Sequence, residues 1–376
     1  MVKTMKFIIE RATLLKTLSH VQSIVEKRNT IPVLSNVKIE ALGDGISFKA
    51  TDMDTEITEI TDAKIVEQGA TTAPAHMLYD IIRKLSDSSE VELTFPDEKG
   101  QLSIASGRSK FSLSTIAVED FPVISGDELP INFTMAREEL KDVIDRTQFA
   151  VSTEETRYYL NGLYIHAKTE GQTNVLRVVA TDGHRLACVE SPLPHGAEKM
   201  SGVIVPRKTV AEVRKLLDDT KAEVISVGLS ENKIRFILED VTLTSKLIDG
   251  TYPDYERVIP TDNDKTLEIK VKELSAAVDR VSVVAERTRA IKLITGKNHV
   301  VLTTSSPDLG SALEELEAKY EHEALEVGYN FRYLLDILAE IKGDNVKLSF
   351  SDSSSPSVIH DTSDASAIYV LMPMRV

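Results

Sequence analysis

The stretch MKFIIERATLLKTLSHV, residues 5–21, decides the fold because its plan occurs twice more. INFTMAREELKDVIDRTQ at 131–148 and LEIKVKELSAAVDRVSVV at 267–284 repeat it: a short apolar strand running straight into an amphipathic helix. Aligned on the helix, Leu14, Leu140 and Leu274 correspond, and Leu18, Ile144 and Val278 follow four residues later. That spacing puts each pair on one buried helical face. Asp145-Arg146 and Asp279-Arg280 recur as a pair.

A second helix recurs as APAHMLYDIIRKL from Ala73, VPRKTVAEVRKLL from Val205 and YNFRYLLDILAEI from Tyr329. Pro74 and Pro206 stand where a first helical turn tolerates proline. Alternating strands follow each helix: VELTF, VISVGL and VKLSF. Between the two helices lie ISFKATD, LRVVATD and HVVLTTS, and the ATD at Ala50-Thr51-Asp52 matches Ala180-Thr181-Asp182. The copies are roughly 130 residues apart, and turn-rich boundaries fall at SGDELP from Ser125 and PTDNDK from Pro260. The chain therefore reads as an α+β protein of three repeated domains, 1–128, 129–260 and 261–376. Each carries two helices packed on about eight strands.

A length of 376 residues suits two or three cores. No apolar run reaches the ~20 residues that cross a bilayer, so no membrane partner is expected. Glu10 and Arg11 interrupt the apolar start MVKTMKFIIERATLL, which argues against a signal peptide. Cys188 is the single cysteine, so no internal disulfide and no cysteine metal cluster is expected; a reducing cytoplasm is the natural setting. The sequence has no GxxxxGK[ST] and no GxGxxG, so no nucleotide and no other cofactor is expected.

The net charge of −15 speaks against a nucleic-acid partner if it is spread evenly. It is not. Residues 3–28, 74–84, 137–157, 206–221, 265–292 and 328–342, which hold the helices and their flanks, carry 26 basic and 18 acidic residues. The rest of the chain carries 18 basic and 41 acidic. A basic helical layer inside an acidic shell would draw DNA to one surface and repel it elsewhere. The bland alternative is a set of ordinary solvated helix faces, and the stretch 137–157 is itself net acidic.

Six helices per chain make twelve in a head-to-tail dimer. At a spacing of about 8–10 Å and a helix diameter of about 10 Å, they enclose a hole of about 25 Å. A duplex on the order of 20 Å across fits such a hole. Arg28, Arg83, Arg207 and Lys208 fall on or beside this layer as phosphate contacts.

Other motifs carry two readings each. Asp182 and His184 in TDGHR, residues 181–185, suggest an acid–base pair or metal ligands. Two side chains in a glycine turn complete neither a metal set nor a triad, so no catalytic and no metal residue is assigned. Tyr158 and Tyr159 suit base stacking or half-buried packing equally. The tail MPMRV, with Met372, Met374 and Arg375, reads as a pocket rim or as a closing strand. RSKFSLST, from Arg108, reads as an edge strand with Phe111 and Leu113 on one face.

Together RNTIPVLSN (from Arg28), SGRSKFSLST (Ser106), RYYLNGLY (Arg157), VATDGHRLA (Val179), VIVPRK (Val203), TSKLIDGTYPDY (Thr244), GYNFRYLLDIL (Gly328) and YVLMPMRV (Tyr369) span the chain. In this order they resemble the β subunits of bacterial DNA polymerase III, the DNA sliding clamps. The departures are a short amino-terminal extension and Val376 where the family usually ends in leucine.

The resemblance implies a homodimeric ring, helices inside and sheets outside, that encircles duplex DNA and tethers polymerases without catalysing a reaction. A separate ATP-driven clamp loader would open it. It implies that Arg28, Tyr158 and Tyr159 face DNA, and that Phe111 and Leu113 meet Val283 and Val284 of a second copy. It also implies a partner-peptide pocket of Arg157, Leu160, Thr181, Gly183, His184, Arg185, Leu186, Pro253, Arg257, Val258, Asn330, Tyr333, Val370, Met372, Pro373, Met374 and Arg375. The competing readings are an acidic hydrolase or transferase using Asp182 and His184, and a scaffold protein that never touches DNA.

Overall fold

The computed structural model describes residues 4–27, 30–43, 45–96, 100–124, 128–171, 173–285 and 289–375. Arg28 and the start of the predicted boundary, 125–127, lie outside them. Among the described residues there are six α-helices: α1 Arg11–Ile24, α2 Ala75–Lys84, α3 Arg137–Gln148, α4 Arg207–Asp219, α5 Val271–Ser282 and α6 Phe331–Ala339. None is long and apolar enough to cross a membrane.

Every helix starts on the residue after a strand ends. Most of these corners are pinned by a backbone amide reaching a distant carbonyl. Arg11, Arg137 and Val271 donate to Ser89, Glu223 and Asp344 at 2.8, 2.8 and 2.9 Å. Arg207 and Phe331 donate to Asn161 and Arg289 at 2.9 and 3.0 Å. An amide in the first helical turn has no partner within the helix, so each of these bonds satisfies an orphan donor and fixes helix to sheet. The first helices bury the pairs read from the sequence, Leu14 and Leu18, Leu140 and Ile144, Leu274 and Val278, and with them Val21, Val143 and Val281. Each such side chain contributes about 1.5–3 kcal/mol on burial.

The chain folds as two compact units, Met1–Arg137 with Ala211–Leu247 and Glu138–Val210 with Ile248–Val376. The strands of the middle repeat explain this division. The first unit has a five-stranded sheet in the order Lys64–Glu67, Met5–Glu10, Glu90–Phe95, Gln101–Ser106, Ser109–Ser114. Its eight-stranded sheet runs Ile131–Ala136, Val224–Leu229, Lys233–Leu238, Val241–Lys246, Thr55–Asp62, Gly45–Thr51, Asn36–Leu42, Gly69–Pro74. Four strands of the middle repeat thus join four of the first, through an antiparallel ladder that sets Val241 opposite Glu59 and Ser245 opposite Thr55.

The second unit repeats the arrangement. Its eight-stranded sheet runs Val203–Pro206, Gly162–Glu170, Thr173–Thr181, Arg185–Pro192, Ala367–Leu371, Ser357–Asp361, Asn345–Phe350, Lys265–Lys270. Here Arg185 lies opposite Leu371 and Val189 opposite Ala367. A four-stranded sheet, Gly310–Glu317, His299–Ser306, Ala290–Gly296, Glu326–Asn330, completes it.

In the first unit α1 turns Thr17 and His20 onto the buried Glu59. The Thr17 hydroxyl donates to Glu59 Oε1 at 2.8 Å. His20 Nδ1 lies 2.7 Å from Glu59 Oε2, and Nε2 lies 3.2 Å from Asp219 Oδ2 at the end of α4. Burial pushes the imidazole pKa down, but the two carboxylates outweigh it, and His20 titrates above its ordinary 6.5. A group raised in the folded state stabilises fully below its unfolded pKa and loses that contribution as the pH rises through the folded value. The stability of the protein relative to a His20→Gln variant should therefore be greatest below pH 6.5 and shrink in alkali. Thermal melts between about pH 6 and 9 check this; a constant difference across that range would contradict the bridge.

Candidate functional site

A cavity of about 240 Å3 opens in the second unit, lined by Leu160, Thr181, Gly183, Arg185, Leu186, Pro253, Asp254, Tyr255, Val258, Val370 and Met372. Four pieces of chain build it. They are the 3-10 turn Glu155–Leu160, the reversal from strand Thr173–Thr181 to Arg185–Pro192, the segment Pro253–Val258, and the chain end beyond Ala367–Leu371. Beneath lies a core of Leu160, Val179, Leu186, Cys188, Ile204, Tyr252, Tyr255 and Val370. Burial pushes the Tyr252 and Tyr255 hydroxyls far above their usual range, so both stay neutral. The walls are apolar and the few polar groups sit at defined points, the usual makeup of a ligand slot.

The reversal at 181–185 is held by its own side chains. Asp182 Oδ1 accepts the amides of His184 and Arg185 at 2.9 and 3.1 Å, and Thr181 Oγ1 accepts that of Gly183 at 3.1 Å. The Thr181 hydroxyl donates to the Arg185 carbonyl at 2.7 Å. The matching ATD of the first repeat makes the same four bonds, through Asp52 to Asp54 and Thr55 and through Thr51 to Met53 and Thr55. The residue after the aspartate is left-handed in both, Met53 at φ 78° and Gly183 at φ 86°. Asp182 is thus a turn cap whose other oxygen takes Arg185 Nε at 3.1 Å. His184 stacks on Tyr333, with ring centres 6.2 Å apart.

A side chain at 183 would also crowd Arg157. A Cβ there would lie 2.6 Å from Arg157 Nη1. Arg157 is itself held by Glu154, Nε to Oε2 at 2.8 Å and Nη2 to Oε1 at 2.7 Å. That pairing draws the Glu154 carboxyl below its ordinary pKa. The chain end is tied to the slot by its backbone: Met372 N donates to the His184 carbonyl at 2.9 Å and Met374 N to that of Gly328 at 2.8 Å.

Of the residues predicted for a peptide pocket, the cavity gathers Leu160, Thr181, Gly183, Arg185, Leu186, Pro253, Val258, Val370 and Met372. Arg157, His184 and Tyr333 border it through the contacts above. Arg257 pairs with the lining residue Asp254 at 2.7 Å. Asn330 caps α6 by accepting Arg332 N, one turn before Tyr333. Pro373, Met374 and Arg375 continue the tail beyond Met372. Asp254 and Tyr255, which are not among the residues predicted, also line the cavity. Tyr255 belongs to the quoted TYPDY, but only the fold shows that its ring closes the floor.

Of the residues predicted at DNA, Arg83 ends α2 exposed and paired with Asp80, and Arg207 and Lys208 open α4 exposed. Tyr158 is exposed and meets the half-buried Tyr159 edge-on. Of those predicted at a subunit interface, Phe111 is 38% exposed on its edge strand, whereas Leu113 is only 5% exposed and already packs within its own sheet. Val283 is 72% exposed just past α5, and Val284 is half-buried.

Three copies of one α+β plan, merged strand to strand into shared sheets, define the DNA-clamp class of fold. The sequence matches the DNA polymerase III beta subunit throughout: its N-terminal domain over residues 5–125, its central domain over 134–254 and its C-terminal domain over 256–375. The beta sliding clamp of Caulobacter vibrioides is 49% identical over 373 residues, 99% of this chain and all of that one. That of Escherichia coli K12 is 37% identical over 374 residues with the same coverage. A crystal structure of the Caulobacter crescentus beta sliding clamp with bound PEG superposes at a TM-score of 0.97, 49% identity and 99% of both chains. A Bartonella birtlesii sliding clamp bound to griselimycin superposes at 0.96, 45% identity, 99% of this chain and 100% of that one. The chain belongs to the DNA polymerase III beta subunit family, the bacterial beta sliding clamps.

The packing of Gly183 against Arg157 gives a direct test. Gly183→Ala combines a left-handed φ with a blocked Cβ, and should cost about 1 kcal/mol or more, lowering the melting midpoint by roughly 2–4 °C. A crystal structure of the variant should show Arg157 swung off the turn. An unshifted melt with Arg157 in place would refute the account of this corner.

Proposed function

We propose that the chain is one half of a homodimeric ring, with domains 1–128, 129–260 and 261–376, that encircles duplex DNA in the cytoplasm and tethers polymerases without catalysing a reaction. One observation carries the assembly. Ser109–Ser114 ends the five-stranded sheet of the first unit, and Gly310–Glu317 ends the four-stranded sheet of the second. Such edges invite pairing with another chain. The first carries Lys110 beside Arg108, and the second carries Glu315 and Glu317, while Glu314 already pairs with Arg280. Phe111 and Leu313 stand exposed on them, Leu313 by 71%. Head-to-tail association of two copies satisfies both edges and both charges, with Val283 and Val284 beside the seam, and a closed arrangement leaves neither edge free.

Arg28, Arg83, Arg207 and Lys208 then serve as weak, sequence-independent phosphate contacts, with Tyr158 and Tyr159 beside them. The slot around Gly183 and Met372 receives an extended partner peptide with apolar anchors. Tethering raises the partner's effective concentration at the template. A separate ATP-driven loader opens the ring. An acid–base reading of Asp182 and His184 has no support in the geometry, because Asp182 is occupied as a turn cap and His184 as a stacking ring.

Topological binding has a distinct signature. Once loaded, the protein should remain on nicked circular DNA through gel filtration in moderate salt and run off the same DNA after linearisation. Equal loss from both forms would exclude a ring.

The seam is tested at residues whose replacement spares the core. Phe111→Asp combined with Leu313→Asp should shift sedimentation from dimer to monomer while the melting curve keeps its cooperativity. A dimer that survives both changes would place the interface elsewhere.

A further inference from the structure

Arg185 presents a question that the peptide-slot reading leaves open, namely why a slot for apolar anchors has an arginine in its wall. Each of the three guanidinium nitrogens has a hydrogen-bond partner. Its Nε donates to Asp182 Oδ2 at 3.1 Å, its Nη2 to the Phe149 carbonyl at 2.5 Å, and its Nη1 to Asp336 Oδ2. Its plane lies over the Tyr333 ring at 4.3 Å and near that of Phe149 at 5.1 Å. Two carboxylates, one carbonyl and an aromatic face thus compensate one cation, and the side chain meets the slot as wall rather than as charge.

The two carboxylates are not equivalent. Asp182 also caps the turn through two backbone amides, so its charge is shared and its loss would unmake the turn. Asp336 projects from α6, half-exposed, and bonds only to Arg185 among the described residues. We infer that Asp336 is a specificity-determining residue: by neutralising Arg185 it makes the slot select an apolar anchor over an acidic one. Without it the guanidinium keeps one shared carboxylate, and an incoming carboxylate becomes its best available partner. Selectivity here is a difference between two affinities, and Asp336 acts against the wrong guest, both by occupying Arg185 and by repelling an anion.

This inference rests on the slot being the peptide site, and the test separates the two. The probes are a fluorescein-labelled hexapeptide with a polar first residue followed by leucine and phenylalanine anchors, and the same peptide with its leucine replaced by glutamate. Anisotropy titrations compare the full-length protein with Asp336→Asn and Asp336→Glu, each checked by circular dichroism melts. The wild type should strongly prefer the leucine peptide. Asp336→Asn should narrow that preference by about tenfold, and its gain for the glutamate peptide should fade as salt is raised. Asp336→Glu, which keeps the charge, should restore the preference. If Asp336→Asn weakens both peptides equally, or leaves the ratio unchanged, Asp336 is structural only and the inference is overturned. If the wild type binds neither peptide, the slot reading itself falls and takes this inference with it.

Discussion

One antiparallel ladder holds each unit together: Val241–Ser245 against Thr55–Glu59 in the first, and Arg185–Val189 against Ala367–Leu371 in the second. Each joins strands from neighbouring repeats into a single sheet. A sheet that stopped at each repeat would leave edge amides and carbonyls unpaired where repeats meet, and such buried groups are costly. The middle repeat therefore gives half its strands to each neighbour, and the compact units of the chain do not coincide with its sequence repeats. The Thr17–Glu59–His20 cluster, buried and extended to the exposed Asp219, sits on the same joint in the first unit, where α1 and strand Thr55–Asp62 meet the end of α4.

The slot is a by-product of the second ladder. Because Arg185 lies opposite Leu371, the chain beyond Leu371 must pass the reversal at 181–185, and Met372 N bonds to the His184 carbonyl as it does so. The first ladder has the equivalent bond, Lys246 N to the Asp54 carbonyl at 2.8 Å. The same turn thus meets a lysine in one unit and a methionine in the other, and carries Met53 in one and Gly183 in the other. Equal backbones with different side chains give an apolar slot at one joint, where glycine and methionine leave room beside Arg157.

Charge in the slot is managed by pairing rather than exclusion. Arg157 is matched by Glu154, Arg257 by Asp254, and Arg185 by Asp182 and Asp336. Arg185 lines the slot, and each of the three arginines has a carboxylate nearby that absorbs its charge.

Read alone, the amino-acid order carried the three repeats, the six helices, the buried face of the first helix in each repeat, and the glycine turn at 181–185, because all of these follow from periodicity and local turn chemistry. It also carried, through resemblance to known clamps, most of the residues that line the slot. It did not reveal that the middle repeat divides its strands, that Leu113 is spent inside its own sheet while Phe111 and Leu313 stay exposed, that Tyr255 forms the slot floor, or that Asp336 neutralises Arg185 from 151 positions away. Alternation within a strand fixes which face is apolar, but every strand offers the same amides and carbonyls at its two edges. Which strands pair, and so which distant side chains meet, was decided only when the repeats packed and satisfied those edges together.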